Sequence, residues 1–168
     1  MSRSIGLFLW FVISSGSAVA QLSDSAFHVN RATRHVELGL HTGYVQGRYG
    51  FADLGLSANV WGADRHPYGA GAYLGTEVRV DRTTLIGPKV GFYLTAGSAM
   101  GAQLIYYTDG DEGSWVFRPE AGMGIFKFKL TYGYNVRLSN ADMPDLNTHV
   151  VNVSYAFRLL RLKGDEFR

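Results

Sequence analysis

The stretch Phe126-Lys127-Phe128-Lys129-Leu130-Thr131-Tyr132-Gly133-Tyr134-Asn135-Val136-Arg137-Leu138 decides the fold. Its even-numbered residues are Phe, Phe, Leu, Tyr, Tyr, Val and Leu, and its odd-numbered residues are Lys, Lys, Thr, Gly, Asn and Arg. A helix would scatter both sets around its circumference, whereas a strand, whose side chains alternate between two faces, separates them completely. The last long stretch repeats the pattern: Val151, Val153, Tyr155, Phe157 and Leu159 oppose Asn152, Ser154, Ala156 and Arg158.

Period-two alternation continues upstream, broken by short clusters of Gly, Asp, Asn and Ser. It predicts eight strands near 34–45, 50–61, 67–80, 84–96, 99–108, 114–123, 126–138 and 148–160. The links also alternate. Short ones fall at 62–66, Gly97-Ser98 and Gly124-Ile125, and modestly longer ones at 46–49, 81–83, 109–113 and 139–147. In an up-and-down barrel with a periplasmic N-terminus, the short set faces the periplasm. Gly124-Ile125 reads as a two-residue type II′ turn with Gly at its first central position. That turn pairs Met123 with Phe126, Phe117 with Tyr132, Trp115 with Tyr134 and Glu120 with Lys129, so aromatics meet aromatics and acid meets base. Pro88 and Pro119 lie inside strands and each removes a ladder donor, so bulges or local register shifts are expected there.

Alternation alone does not say which face is inside; side-chain volume does. The polar face carries Gly39, Gly55, Gly69, Gly71, Gly75, Gly87, Gly91, Gly101, Gly122 and Gly133 among a few long polar residues. Eight strands enclose an interior just wide enough for side chains to fill, which suits that mixture. The other face, with Leu54, Leu56, Val60, Leu74, Val78, Val90, Phe92, Leu94, Leu104, Tyr106, Trp115 and Phe117, would overfill it and belongs against lipid. In hydrocarbon, closure also removes the unpaired backbone groups of a sheet edge, each costing several kcal/mol. The expected fold is therefore all-β, an eight-stranded antiparallel up-and-down transmembrane barrel. Aromatic girdles are expected from Trp61, Tyr68, Phe126, Phe128 and Phe157 at one rim and from Tyr44, Tyr106, Trp115 and Phe117 at the other.

Residues 1–20 read as a cleaved signal peptide: Arg3, an apolar run from Ile5 to Ile13, and Ala18-Val19-Ala20 as a small-x-small site. The run is too short for a spanning helix, which needs roughly 20 apolar residues. A polar leader follows over 21–33, and the barrel domain occupies 34–168. Charged residues make up 18% of the chain, below the roughly 25% of soluble domains, which favours strands with one bulky apolar face. A formal charge of +2 with no basic run excludes nucleic acid as a partner. The chain has no cysteine, so neither a lipid-modified cysteine nor a disulfide is expected.

Catalysis on lipid would need a Ser, a His and an acid within hydrogen-bond reach. His149 and Ser154 have opposite parity and point to different faces, and His35 and His41 stand about 20 Å apart along one strand. No catalytic residue, metal or cofactor is expected. The inward charges form the candidate site: Glu37, Asp53, Glu77 and Glu120 against Arg79, Lys89, Arg118, Lys127, Lys129, Arg137 and Arg158. Opposite signs in so narrow a space should pair into a structural plug, because an unpaired buried charge is costly. The excess of seven bases over four acids points instead to a thin, anion-favouring path. Asp109-Gly-Asp-Glu-Gly113 groups carboxylates that suit a hard cation, but Asp-Gly turn chemistry accounts for it without a metal.

With these residues in place, the chain resembles the small eight-stranded outer-membrane proteins of the OmpX and OmpA-barrel type. Ile105-Tyr-Tyr-Thr-Asp109, Phe117-Arg-Pro-Glu120 and Lys129-Leu-Thr-Tyr-Gly-Tyr-Asn135 are similar to uncharacterised barrels of the Bacteroidota. Asn152, Ser154, Phe157 and Leu159 resemble the assembly signal read by the barrel-insertion machinery, with Ser154 where Gly is more usual. The resemblance implies a bacterial outer-membrane location, contact with outer-membrane lipid and lipopolysaccharide, and assembly by that machinery; it leaves the oligomeric state open. The expected function is a non-enzymatic barrel with a charge-filled lumen in an envelope structural or surface role. The alternatives are a narrow anion-favouring transport barrel and a lipid A-modifying enzyme.

Overall fold

Alternating side chains organise the residues that the computed structural model describes, 33–63, 67–81, 84–140, 142–143 and 146–164. The elements are β1 (Thr33–Gln46), β2 (Gly50–Ala63), β3 (Pro67–Arg79), β4 (Ile86–Thr108), β5 (Gly113–Ile125), β6 (Phe128–Tyr134), β7 (Val136–Arg137) and β8 (His149–Lys163), with no helix among the described residues. All pairings are antiparallel, in the order β4-β3-β2-β1-β8-β6-β5-β7, and a β4–β5 pairing closes the ring. The expectations placed on residues 1–20 and on 21–32 of the 21–33 leader lie outside the described residues; Thr33, the leader's last residue, belongs to β1.

The long β4 supplies two staves of the barrel. Its first part, Ile86–Thr95, pairs with β3, and its second, Gly97–Thr108, pairs with β5. Gly97 has φ 80°, a conformation open to glycine, and a Cβ added at Gly101 would lie 2.5 Å from the Phe92 carbonyl oxygen, so the chain doubles back here. β6 and β7 form one stave interrupted at Asn135. Eight antiparallel staves thus close into a barrel. One rim carries the connections from β2 to β3, between the two parts of β4 and from β5 to β6 at 126–127; the other carries those from β1 to β2, β3 to β4, β4 to β5 and β7 to β8.

The two faces fall as their parity requires. Leu54, Leu56, Leu74, Val90, Phe92, Leu94, Trp115, Phe117, Tyr132 and Phe157 are exposed outside, and Glu37, Asp53, Glu77, Lys89, Gln103, Arg118, Glu120 and Asn152 are buried inside. Aromatics also point inward, at positions matched to glycines: a Cβ at Gly69 would strike the Trp61 ring, one at Gly71 the Tyr93 ring and one at Gly91 the Tyr73 ring. Absent side chains on one strand make room for rings from the next, which is how the interior fills without overpacking.

Four expectations are corrected. The β5–β6 hairpin turns at Phe126-Lys127, not Gly124-Ile125, with Phe126 at φ 51°. The register slides by four residues: Phe117 faces Val136, Ala121 faces Tyr132, Met123 faces Leu130 and Glu120 faces Gly133. An even slide keeps every residue on its face, so face segregation does not choose between the registers. Close packing does, because Gly124 is needed inside, where a Cβ would lie 2.7 Å from the Thr95 methyl and 3.0 Å from Ala99.

Pro88 sits opposite Thr76 in an unbroken ladder, with no bulge. Pro119 causes no register shift either; the β5 ladder instead lapses between Glu120↔Gly133 and Phe117↔Val136, the gap a missing donor leaves. The bulges lie in the β1–β8 pairing, between Val36 and Glu37 and between Leu38 and Gly39, and Leu159 and Leu160 both end up exposed. Trp61 is no girdle residue: it is 1% exposed and shares the inward parity of Asp53, Ser57 and Asn59.

Candidate functional site

The barrel interior brings six of the eleven sequence-predicted charges together around one ion pair. Glu77 on β3 and Arg118 on β5 are fully buried; Arg118 Nη1 donates to Glu77 Oε1 at 2.7 Å and Nη2 to Oε2 at 3.1 Å. This paired geometry is the fork in which a planar guanidinium best meets a carboxylate. Arg118 Nε donates to Asn135 Oδ1 at 2.6 Å, at the break between β6 and β7. Tyr107 donates its hydroxyl proton to Glu77 Oε2 and lies within hydrogen-bond distance of Arg118 Nη2.

Lys89 is the second hub. Its Nζ donates to Asp53 at 2.6 Å, Glu77 at 2.8 Å and Gln103 at 3.1 Å, which occupies all three ammonium protons. Asp53 also pairs with His41 Nε2 at 3.2 Å, and the His41 ring stacks on Tyr73 with centroids 4.4 Å apart. Glu120 accepts from Gln103 Nε2 and from Asn152 Nδ2. Lys129 has a ring for a partner: its Nζ stands 3.7 Å from the Tyr93 centroid and 5.4 Å from that of Tyr73. Three acids (Asp53, Glu77, Glu120) therefore share the middle with three bases (Lys89, Arg118, Lys129).

The remaining bases lie towards the rims. At the loop rim, Arg79 pairs with Asp81 and stacks over Tyr49 at 3.7 Å. Arg137 donates to the carbonyls of Met143 at 3.3 Å and Leu146 at 3.1 Å. Those bonds fasten Met143 and Leu146 over the barrel end, where they pack with Val45, Phe51, Leu85, Ile105, Tyr107, Val116 and Val150. Asn147 completes the cap, accepting from the Tyr49 amide at 2.9 Å and donating to its carbonyl at 2.8 Å. At the short-turn rim, Lys127 donates to both oxygens of buried Glu37, at 2.7 and 2.9 Å, and the Trp61 indole donates to the same carboxylate at 2.6 Å. Arg158 is exposed there beside an open cavity.

The seven-to-four excess of bases is thus absent from the middle of the barrel. Lys127 lies in a turn instead of a strand, and Arg158 stands at the rim instead of in the lumen. Sequence reasoning missed Tyr107, Gln103, Asn135 and Trp61 as members of the network. Parity marked Trp61, in step with Asp53, and Asn135, in step with Lys129 and Arg137, whereas Gln103 and Tyr107 share a stave that carries no charge. Asn152 and Ser154 are buried inside, and Phe157 and Leu159 are exposed outside.

His149 is exposed and Ser154 buried, on opposite faces. Among the described residues no group of three or more His, Cys, Asp or Glu is placed to hold a metal ion. In the 109–112 loop, Asp109 accepts from the amides of Glu112 at 2.9 Å and Asp111 at 3.0 Å, which holds its carboxyl below the ordinary aspartate range. That carboxylate is engaged by its own turn.

Fold and interior together define a class: a closed eight-stranded antiparallel barrel, fitting an OmpX-like barrel in general, with a hydrogen-bonded charged core and an apolar cap. No protein-family model, curated protein or solved structure matches the chain.

Proposed function

We propose that this chain is a small bacterial outer-membrane barrel with a non-enzymatic role, a rigid plugged cylinder that supports the envelope or presents short loops at the surface. The observation that carries this reading is the outward face, where large apolar side chains stand exposed on every stave; Leu74, for instance, is 70% exposed. In water so large an apolar surface marks an interaction site, and here it encircles a closed sheet. Strands of 13 to 15 residues, such as β3 and β8, reach about 45 Å at roughly 3.3 Å per residue, enough to cross a hydrocarbon layer of about 30 Å at a tilt. Outer-membrane lipid and lipopolysaccharide are the surroundings this reading requires. Insertion by the barrel-assembly machinery would read Asn152, Ser154, Phe157 and Leu159. The resemblance to barrels of the Bacteroidota belongs to the same proposal.

The plugged interior favours a structural role over conduction. Lys89 and Arg118, the cations best placed to attract a passing anion, already donate to carboxylates, and an apolar cap lies above them. The test has two parts. The chain should partition with outer membranes and show a heat-dependent shift in gel mobility; a mature chain that stays monodisperse in buffer without detergent overturns the membrane reading. In planar bilayers it should give no discrete steps. Anion-selective steps abolished by neutralising Lys89 and Arg118 would overturn the plug.

A further inference from the structure

The short-turn rim holds a feature that the plug does not use. A cavity of about 610 Å³ opens there, with His35, Lys127, Arg158 and Arg161 in its wall and Phe128 and Tyr155 at its edge. Its volume falls within the roughly 300–1,000 Å³ typical of small-ligand sites. Among the described residues none in the wall is acidic. The carboxylate of Glu37 beside it is buried and already engaged by Lys127, Trp61 and His35.

We propose that this cavity binds the anionic headgroup of a phospholipid, its phosphodiester on the arginines and its acyl chains along Phe128 and Tyr155. A guanidinium presents paired N–H donors that match two phosphate oxygens, so arginine suits a phosphodiester better than a point charge does. The bulged end of the β1–β8 ladder builds the site. Asn152, Ser154 and Ala156 are buried, and strict alternation would bury Arg158 too, yet Arg158 is exposed at the point where the ladder shifts register. Bulges re-aim side chains in this way. The exposed Phe128 and Tyr155 continue from the cavity edge onto the outer apolar face, giving one amphipathic surface for head and tail.

Among the described residues, charge at the two rims leans the same way: Arg34 and Lys163 line a depression at this rim, whereas exposed Asp81, Asp109, Asp111, Glu112 and Asp142 outnumber exposed Arg48 at the loop rim. This inference rests on the membrane reading, under which the short-turn rim meets the periplasmic, phospholipid leaflet.

The test uses the chain refolded into phosphatidylcholine nanodiscs containing either phosphatidylglycerol or phosphatidylethanolamine, with co-purifying lipid read by native mass spectrometry in detergent. Phosphatidylglycerol should be retained at least about tenfold over phosphatidylethanolamine, a difference of about 1.4 kcal/mol. Arg158→Gln/Arg161→Gln should lose the preference, Arg158→Gln should weaken it, and Arg48→Gln at the opposite rim should keep it. Soluble glycerol phosphate at the lipid's concentration should not displace it. Every variant is first checked for the heat-shifted mobility of a folded barrel. A folded, inserted chain with no anionic preference, or a preference undiminished in the double variant, overturns this inference alone. Displacement by soluble glycerol phosphate overturns the lipid assignment, and a chain that never inserts overturns the membrane reading with it.

Discussion

Glu77→Gln strikes the centre of the interior network, and its cost follows from the contacts. Glu77 accepts four bonds, two from Arg118 and one each from Lys89 and Tyr107. Glutamine keeps one acceptor oxygen and turns the other position into a donor, which then faces donors. Lys89 retains Asp53, but Arg118 loses its bidentate partner and keeps Asn135 and Tyr107, neither of them charged. A buried guanidinium left without its carboxylate costs about 3–5 kcal/mol. Arg118→Gln should cost a similar amount, since it strands Glu77 with Lys89 alone as a cation. The double variant places two amides side by side that can bond each other, so it should cost less than the two singles summed, with a coupling of about 2 kcal/mol or more. The assay is urea unfolding of the barrel refolded in phosphatidylcholine bilayers, followed by tryptophan fluorescence and by the fraction of heat-shifted band. A loss below about 1 kcal/mol for Glu77→Gln, or additivity within about 0.5 kcal/mol, would refute the claim that this pair organises the interior.

Leu74→Arg, mid-strand on the outer face, should cost about 2–4 kcal/mol in a bilayer if that face meets hydrocarbon; a change within about 0.5 kcal/mol, the usual result at a water-exposed position, would contradict the proposed surroundings. Gly55→Ala should cost about 1–3 kcal/mol by overpacking, because its Cβ would lie 2.5 Å from the Leu74 carbonyl oxygen and 2.7 Å from Gly75 Cα, neither of which can move aside; an unchanged urea midpoint would show that the strands do not approach so closely. The Asp109 carboxyl should titrate below the ordinary value of about 3.9 in an NMR titration of the micelle-bound barrel. Its lowered folded value means that any stabilisation of the loop is present above the ordinary range and lost as pH falls through the folded one, and a midpoint at or above about 3.9 would mean its two amide bonds are not formed.

What could be read from the sequence depended on the length scale of each determinant. Strand identity and facing are local: Phe128, Leu130 and Tyr132 announce both, and the structure keeps them. Register is not local. Pairing Phe117 with Tyr132 or with Val136 leaves every face unchanged, and what decides it is Gly124 fitting against Thr95 and Ala99, where the two parts of β4 meet, distant in sequence. Trp61 was legible by parity and was masked by its type, because a tryptophan near a strand end suggests a girdle. The partners of the interior charges were the least legible. Lys89 reaches Asp53, two staves away, and Arg118 reaches Glu77 across the interior, distances set by barrel curvature that no linear pattern encodes.

The use of charge inside this barrel has a physical reason beyond stability. A buried ion pair is often no more stabilising than apolar side chains of equal volume. In a lipid surrounding, however, an apolar interior would make the two faces of every strand chemically alike, and hydrocarbon would no longer discriminate between them. A one-residue slip, which exchanges the faces of an entire strand, would then meet little opposition. With Glu77, Lys89, Arg118 and Asp53 inside, the same slip on any of their strands turns a charge into hydrocarbon and breaks up to four hydrogen bonds within the core. Under the proposed membrane reading, the network therefore acts as a selector of facing, while the outward leucines and aromatics would supply the affinity for lipid, and neither set would do the work of the other.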